Sequence, residues 1–375
     1  MDKTKDILRK LININTTNLP GNEMDMVNAI LEFFPENIDY EIIDHGNNRG
    51  SLLIELKGKN DEKMGFIGHI DTVPVPDESS WIYPPFEGVI EDGYMYGRGT
   101  SDMKGGVTAM ILTALHFIEN NITPPHGLKF IFTADEESGG MGVKAMRDKG
   151  YLNDISKVFI TEPSDEEIGI CEKGTLWISI RVKGKSAHGS RPELGLNAIE
   201  KLYEYINRLK GTLDLDKKHS LLGSSSYAIT LINGGVKTNI IPEDANAALD
   251  IRTIPGFDHE KIIRDAHKIS KDMEIENEGM TIEIQVENNR PPLTMDEENK
   301  FIKDIVSIYE KLSYPIKFKG INFYTDASQL IPYHNIPFVI LGPGEENMCH
   351  QKNERIKIES IVRMIEFYIS YIINC

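Results

Sequence analysis

Apolar residues recur at helical spacing from the start of the chain: Ile7, Leu8, Leu11 and Ile12 predict a helix within 3–17. Met26, Ile30, Leu31 and Phe34 predict a second helix after Gly21. The pattern then shortens to strand length. Residues 40–43 and 51–56 read as strands, and 64–70 as a more buried one. Proline, glycine and aromatic residues crowd 72–91, which predicts a long ordered loop of the kind that carries function. A largely apolar run at 107–118 predicts a buried helix; strand 128–133, helix 139–149 and strand 158–161 follow. Strands alternating with helices in this way build a sheet with substantial parallel pairing.

Near Gly174 the rhythm changes. Residues 175–182 alternate apolar and polar, as a half-solvated strand does; a helix over 192–209, strands at 227–232 and 245–252, a helix over 258–273 and a strand at 281–286 complete the run. That β-α-β-β-α-β order predicts a ferredoxin-like α+β insert over 174–289 within a discontinuous domain of residues 1–173 and 290–375. Arg290-Pro291-Pro292 is the return linker, and strand 336–341 and a long helix over 354–373 close the chain. The predicted class is α/β, with a central mixed, largely parallel sheet. A length of 375 residues, too great for one ordinary core, agrees with two domains.

Hydrophobic residues at 40% and charged residues at 26% fit a globular protein, and no apolar run approaches the ~20 residues of a membrane helix. A net charge of −17 argues against nucleic acid and anionic membranes as partners, both being negative themselves. Three cysteines, Cys171, Cys349 and Cys375, form no paired spacing. With a charged N-terminus lacking a signal-peptide core, they predict a cytoplasmic protein.

Acids and histidines collect where apolar runs end. Asp102 follows the glycine-rich turn Tyr96-Gly97-Arg98-Gly99-Thr100-Ser101. His69 and Asp71 close one predicted strand, Asp135-Glu136-Glu137 another and Thr161-Glu162-Pro163 a third; His350 follows Leu341-Gly342-Pro343-Gly344 near the end. Residues two apart on a strand share a face, so Asp71 can hold the second ring nitrogen of His69. Taken singly, each group has a plainer role, as a strand-end histidine or as acids in a helix's first turn. Their joint occurrence at strand ends, where α/β folds assemble sites, predicts a metal cage with Asp102 bridging two ions. Other chemistries lack their motifs: there is no Gly-x-Ser-x-Gly elbow, and His259-Glu260 lacks the second histidine of a His-Glu-x-x-His site.

His69-x-Asp71, Gly99-Thr100-Ser101-Asp102-Met103-Lys104-Gly105, Asp135-Glu136-Glu137, Thr161-Glu162-Pro163 and His350 together resemble the acetylornithine deacetylase and succinyl-diaminopimelate desuccinylase family of dinuclear zinc hydrolases. Aminoacylases, carboxypeptidases and di- and tripeptidases belong to it too. The resemblance implies a zinc-peptidase-like catalytic domain and an insert that serves as lid and dimerisation domain. It implies two Zn2+ per subunit, with Co2+ or Mn2+ as substitutes. Asp102 would bridge them, His69 and Glu162 holding one and Glu137 and His350 the other. Asp71 would orient His69, and Glu136 would be the general base for a metal-bridging hydroxide. The peptide after the bridging aspartate is usually cis in this family. His188 of the insert would polarise the scissile carbonyl, from the partner subunit in dimeric members, and Asn239 and Arg252 match substrate-binding positions. Arg252 could equally form an ion pair within the insert. The implied reaction is hydrolysis of an N-acyl amino acid, with a metallo-carboxypeptidase or di/tripeptidase as the alternative and a non-catalytic binding protein more remote. Where the family often has paired glycines before Thr-Asp, this chain has Asn322-Phe323-Tyr324 before Thr325-Asp326, a bulkier wall.

Overall fold

The computed structural model describes residues 2–375 and divides them into two compact units. One comprises the chain up to Cys171, Thr294–Ile321 and Thr325–Cys375; the other comprises Glu172–Leu293 and Asn322–Tyr324. No helix among the described residues is long and apolar enough to cross a membrane.

The first unit is built on a nine-stranded mixed sheet. Seven of its strands run in the order Asp39–Gly46, Arg49–Leu56, Gly127–Thr133, Lys63–His69, Ile155–Ile160, Phe338–Ile340, Ile168–Glu172. The four central strands from Gly127–Thr133 to Phe338–Ile340 pair in parallel, and antiparallel partners flank them on both sides. The sheet is therefore less parallel than the strand–helix alternation predicts. The reason is local: the first two strands form a hairpin turning at Asn47 and Asn48, both in the left-handed region that asparagine tolerates.

Central strands are buried along most of their length, which is why they read as continuous apolar runs. Phe66 stacks on Phe130 and Phe159 at centroid separations of 5.2 and 5.0 Å. Tyr368 and Tyr371, from the terminal helix Ile358–Asn374, meet the Phe159 ring edge-on. Burying each such ring contributes about 1.5–3 kcal/mol. Helix Gly105–Glu119 packs against that terminal helix and is buried nearly all round, as its apolar sequence requires.

In the second unit, a four-stranded antiparallel sheet runs Ser226–Gly234, Asp244–Thr253, Gly174–Lys183, Thr281–Arg290. Leu176, Ile178, Ile180 and Val182 alternate toward helices Ala198–Lys210 and His259–Glu276, forming a core with Leu202, Tyr205 and Ala266. Asn197 and Asp258 cap the two helices, each accepting from backbone N–H groups of the first turn.

Candidate metal centre

Parallel register brings three strand ends to one edge of the sheet. His69 pairs with Thr133 and Ile67 with Ile160, so the segments that follow carry Asp71, Asp135 to Glu137, and Glu162 away from adjacent positions. Asp102 arrives on a tight turn, Thr100–Lys104, and the Asp102–Met103 peptide is cis. Gly99 before the turn has φ +84°, and a Cβ there would sit 2.6 Å from Thr72 Cγ2. Gly106 after it lies against the Thr161 carbonyl, 2.1 Å from where a Cβ would be. These two close approaches account for glycine on both sides of the aspartate.

Asp102 stands between two imidazoles. Its Oδ1 lies 3.1 Å from His69 Nε2 and its Oδ2 3.3 Å from His350 Nε2. Glu162 Oε1 is 3.7 Å from the same His69 nitrogen, and Glu137 Oε2 is 2.9 Å from that of His350. The five side chains thus form two half-sites that share one carboxylate. Donor atoms of His69, Asp102 and Glu137 lie within 4.8 Å of one another. His350, in left-handed backbone at φ +62°, is half-exposed; the carboxylates and His69 are largely buried.

Asp71 does more than the His-x-Asp spacing suggests. His69 Nδ1 lies 3.0 Å from the Asp71 main-chain oxygen and 3.6 Å from its carboxylate, which leaves Nε2 facing Asp102. The Asp71 carboxylate accepts from the backbone N–H of Glu136 at 3.0 Å and of Glu137 at 3.2 Å, and from Asn18 Nδ2 at 3.1 Å. It fixes the acid triplet as well as the histidine. Asp135 turns the other way, in left-handed backbone at φ +69°, and takes Arg49 Nη2 at 2.9 Å; Arg49 also binds Glu23 at 2.6 Å.

Glu354, which sequence reasoning missed, cradles the Asp102 turn. Its two oxygens accept the N–H groups of Gly99, Ser101 and Asp102 at 2.9, 2.8 and 3.0 Å and pair with Arg98 Nη1 at 2.6 Å, all out of solvent. Lys104 is also fully buried; its ammonium donates to the carbonyls of Leu11 and Ile14, and burial pulls it down to about 7. It ties the end of the first helix to the same turn.

Electrostatics favour a cation. Burial opposes the Asp102 charge, but the flanking imidazoles hold its carboxyl well below the usual range. Glu137 is pushed up to about 7 by burial and by the Asp102 charge, and burial likewise drives Glu162 well upward. Hydrogen bonds to Asp102 and Glu137 raise His350 to about 11. Glu137 Oε1 and Glu162 Oε2 are buried without a hydrogen-bond partner among the described residues. Three crowded carboxylates, two with orphaned oxygens, against two imidazoles fit divalent cations of the borderline and hard classes.

The other predicted residues lie in the second unit. His188 is exposed, and its Nδ1 accepts the Ser190 N–H at 3.1 Å, which puts the ring proton on Nε2. Asn239 adjoins it: the Asn239 carbonyl accepts the Gly189 N–H at 2.8 Å, beside the two-stranded ribbon of Ala187–His188 and Ile240–Ile241. Arg252 stands apart from both. It makes two bonds to Asp250, at 2.8 and 3.0 Å, and one to Thr175 Oγ1 at 2.7 Å.

Residues 65–374 match the family model described as peptidase family M20/M25/M40. The chain belongs to peptidase family M20/M25/M40. Its relatives in the family include a protein of Staphylococcus aureus (strain N315) named "Probable succinyl-diaminopimelate desuccinylase", 30% identical over 96% of this chain and 95% of that one. The fold is shared with the M20 family metallo-carboxypeptidase Sso-CP2 of Sulfolobus solfataricus, at TM-score 0.80 and 18% identity over 99% of each chain. It is shared too with the YXEP protein of Bacillus subtilis, a dinuclear metal-binding M20 peptidase, at TM-score 0.75 and 17% identity over 99% of this chain and 97% of that one. This M20/M25/M40 member is a metal-dependent amidohydrolase or peptidase.

Proposed function

We propose that the chain hydrolyses the amide bond of an N-acyl amino acid, using two metal ions held around Asp102. The observation that carries this reading is the shared carboxylate: each Asp102 oxygen faces its own histidine, and each histidine has its own glutamate. His69 and Glu162 would hold one ion, Glu137 and His350 the other, and zinc suits the mixed imidazole–carboxylate set. When bound, such ions acidify water and polarise the amide carbonyl.

The chain's own residues do the rest. Glu136, its backbone pinned by Asp71, takes a proton from the attacking water and returns it to the departing amine. His188 offers Nε2–H to the oxyanion, and the neighbouring Asn239 binds substrate. The insert acts as a lid and as the homodimer contact. Its edge strand Ser226–Gly234 supports this, for Ile229, Leu231 and Ile232 are exposed on a strand paired on one side only. The spacing of Cys171, Cys349 and Cys375, which suits no disulfide framework, supports a reducing, cytoplasmic setting.

The acyl-amino-acid substrate is favoured by the Staphylococcus aureus relative, which matches nearly end to end; the metallo-carboxypeptidase fold neighbour supports peptide cleavage as the second reading. Metal-loaded enzyme set against succinyl- and acetyl-amino acids and a panel of di- and tripeptides separates them. We expect kcat/KM for the best acyl amino acid to exceed that for any peptide by at least about 10-fold, a difference that one well-used polar contact supplies. The reverse order establishes a peptidase, and no hydrolysis of either set overturns the proposal.

A further inference from the structure

Two buried acids hold the segment that carries Glu136 and Glu137, and one amide joins them. Asn18, only 6% exposed, donates from Nδ2 to Asp71 Oδ2 at 3.1 Å and to Asp135 Oδ1 at 3.0 Å. An ionised carboxylate only accepts, so the amide must turn its N–H groups to the acids. Its Oδ1 is then left buried, without a hydrogen-bond partner among the described residues. Leaving an acceptor unpaired out of solvent works against folding. A side chain that does so while bridging two acids serves their placement more than the stability of its own loop.

The backbone sets Asn18 firmly in place. Residues 16–18 lie along 70–72: the Asn18 N–H donates to the Thr72 carbonyl at 2.8 Å and the Thr72 N–H to the Thr16 carbonyl at 3.1 Å. Thr16 Oγ1 adds a bond to the Ile70 carbonyl at 2.7 Å. Bound to one nitrogen, the two carboxylates are close neighbours, and like charges out of solvent repel strongly. Arg49 relieves Asp135 at 2.9 Å, and Asn18 is the donor common to both acids. Asp135 directly precedes Glu136, while Asp71 accepts the N–H groups of Glu136 and Glu137 at 3.0 and 3.2 Å. A shift of one acid against the other is therefore a shift of both glutamates.

We propose that Asn18 is a positioning residue of this hydrolase: by clamping Asp71 to Asp135 it sets where Glu136 meets the attacking water and where Glu137 meets its ion. It acts only through the two acids. This rests on the roles given above to Glu136 and Glu137.

The test compares wild type with N18A, N18D, T16V and E136Q, reading kcat and KM on the best amide substrate, zinc affinity by titration, and melting temperature. We expect N18A to lose about 10- to 100-fold in kcat and a similar factor in zinc affinity, with KM close to wild type. N18D keeps the shape but replaces the donors with a third acid, so it should lose more than N18A on both counts. T16V removes a bond from the same backbone ladder and leaves both acids their donor; it should melt lower yet keep its kcat and zinc affinity. If N18A does not fold, N18S, which retains one short donor, takes its place with a smaller loss. Three results would overturn the proposal: N18A or N18S with unchanged kcat and zinc affinity, N18D milder than N18A, as a role in shape alone requires, or T16V losing as much activity as N18A. If E136Q keeps the wild-type rate, the general-base reading fails by itself. The zinc titrations then decide Asn18 through Glu137 alone, and unchanged affinity in N18A and N18D overturns its role.

Discussion

Replacing Glu136 with glutamine is expected to lower kcat by about 10²- to 10⁴-fold, the contribution of a positioned general acid–base group, the role proposed for it. The change is nearly isosteric, and the backbone N–H of residue 136 keeps its bond to Asp71 at 3.0 Å, so the acid triplet holds its course. Glu137 remains in place to face His350. Metal content therefore stays at the wild-type level while turnover collapses. Steady-state kinetics and metal analysis on one preparation read both numbers. A variant that keeps its rate, or loses its metal, would remove Glu136 from the proposed role.

Glu354→Ala strikes the support of the site and not its chemistry. The substitution strands Arg98 as a buried, uncompensated cation and leaves the N–H groups of Gly99, Ser101 and Asp102 without their acceptor. Breaking a buried pair of this kind costs about 3–5 kcal/mol. The Asp102 turn then has no fixed acceptor, and metal affinity falls by about 10- to 100-fold, as for other outer supports of a metal site. Glu354→Gln, which keeps one oxygen, falls between. Urea midpoints and a metal titration check the two effects separately. Unchanged stability with unchanged affinity would mean that backbone packing alone shapes the turn.

Periodicity and strand-end chemistry were enough to read most of this molecule. The run Met64 to Ile70 announces a buried central strand, and the acids after Phe132 and Ile160 stand where parallel register delivers them. Asp102 was legible because glycines on either side of an acid imply a forced backbone. Glu354 was not. It sits four residues past His350 in a polar stretch, and its partners are backbone N–H groups some 250 positions away, which no local pattern encodes. Arg49 escaped for the same reason: only the fold shows that it links Glu23 to Asp135. The strand Ile168–Glu172 is too short and too near the change of rhythm at Gly174 to stand out. Arg290 reads from sequence as part of a proline linker, whereas in the structure it ends the strand Thr281–Arg290 and is fully buried.

The central claim is that Asp102 is shared by two ions. Metal content per chain, measured after loading and gel filtration for the wild type and for Asp102→Ala, tests it most directly. The account predicts two ions in the wild type and loss of both in the variant, since each half-site gives up the carboxylate it depends on. One ion or none in the wild type, or two retained by Asp102→Ala, would contradict it.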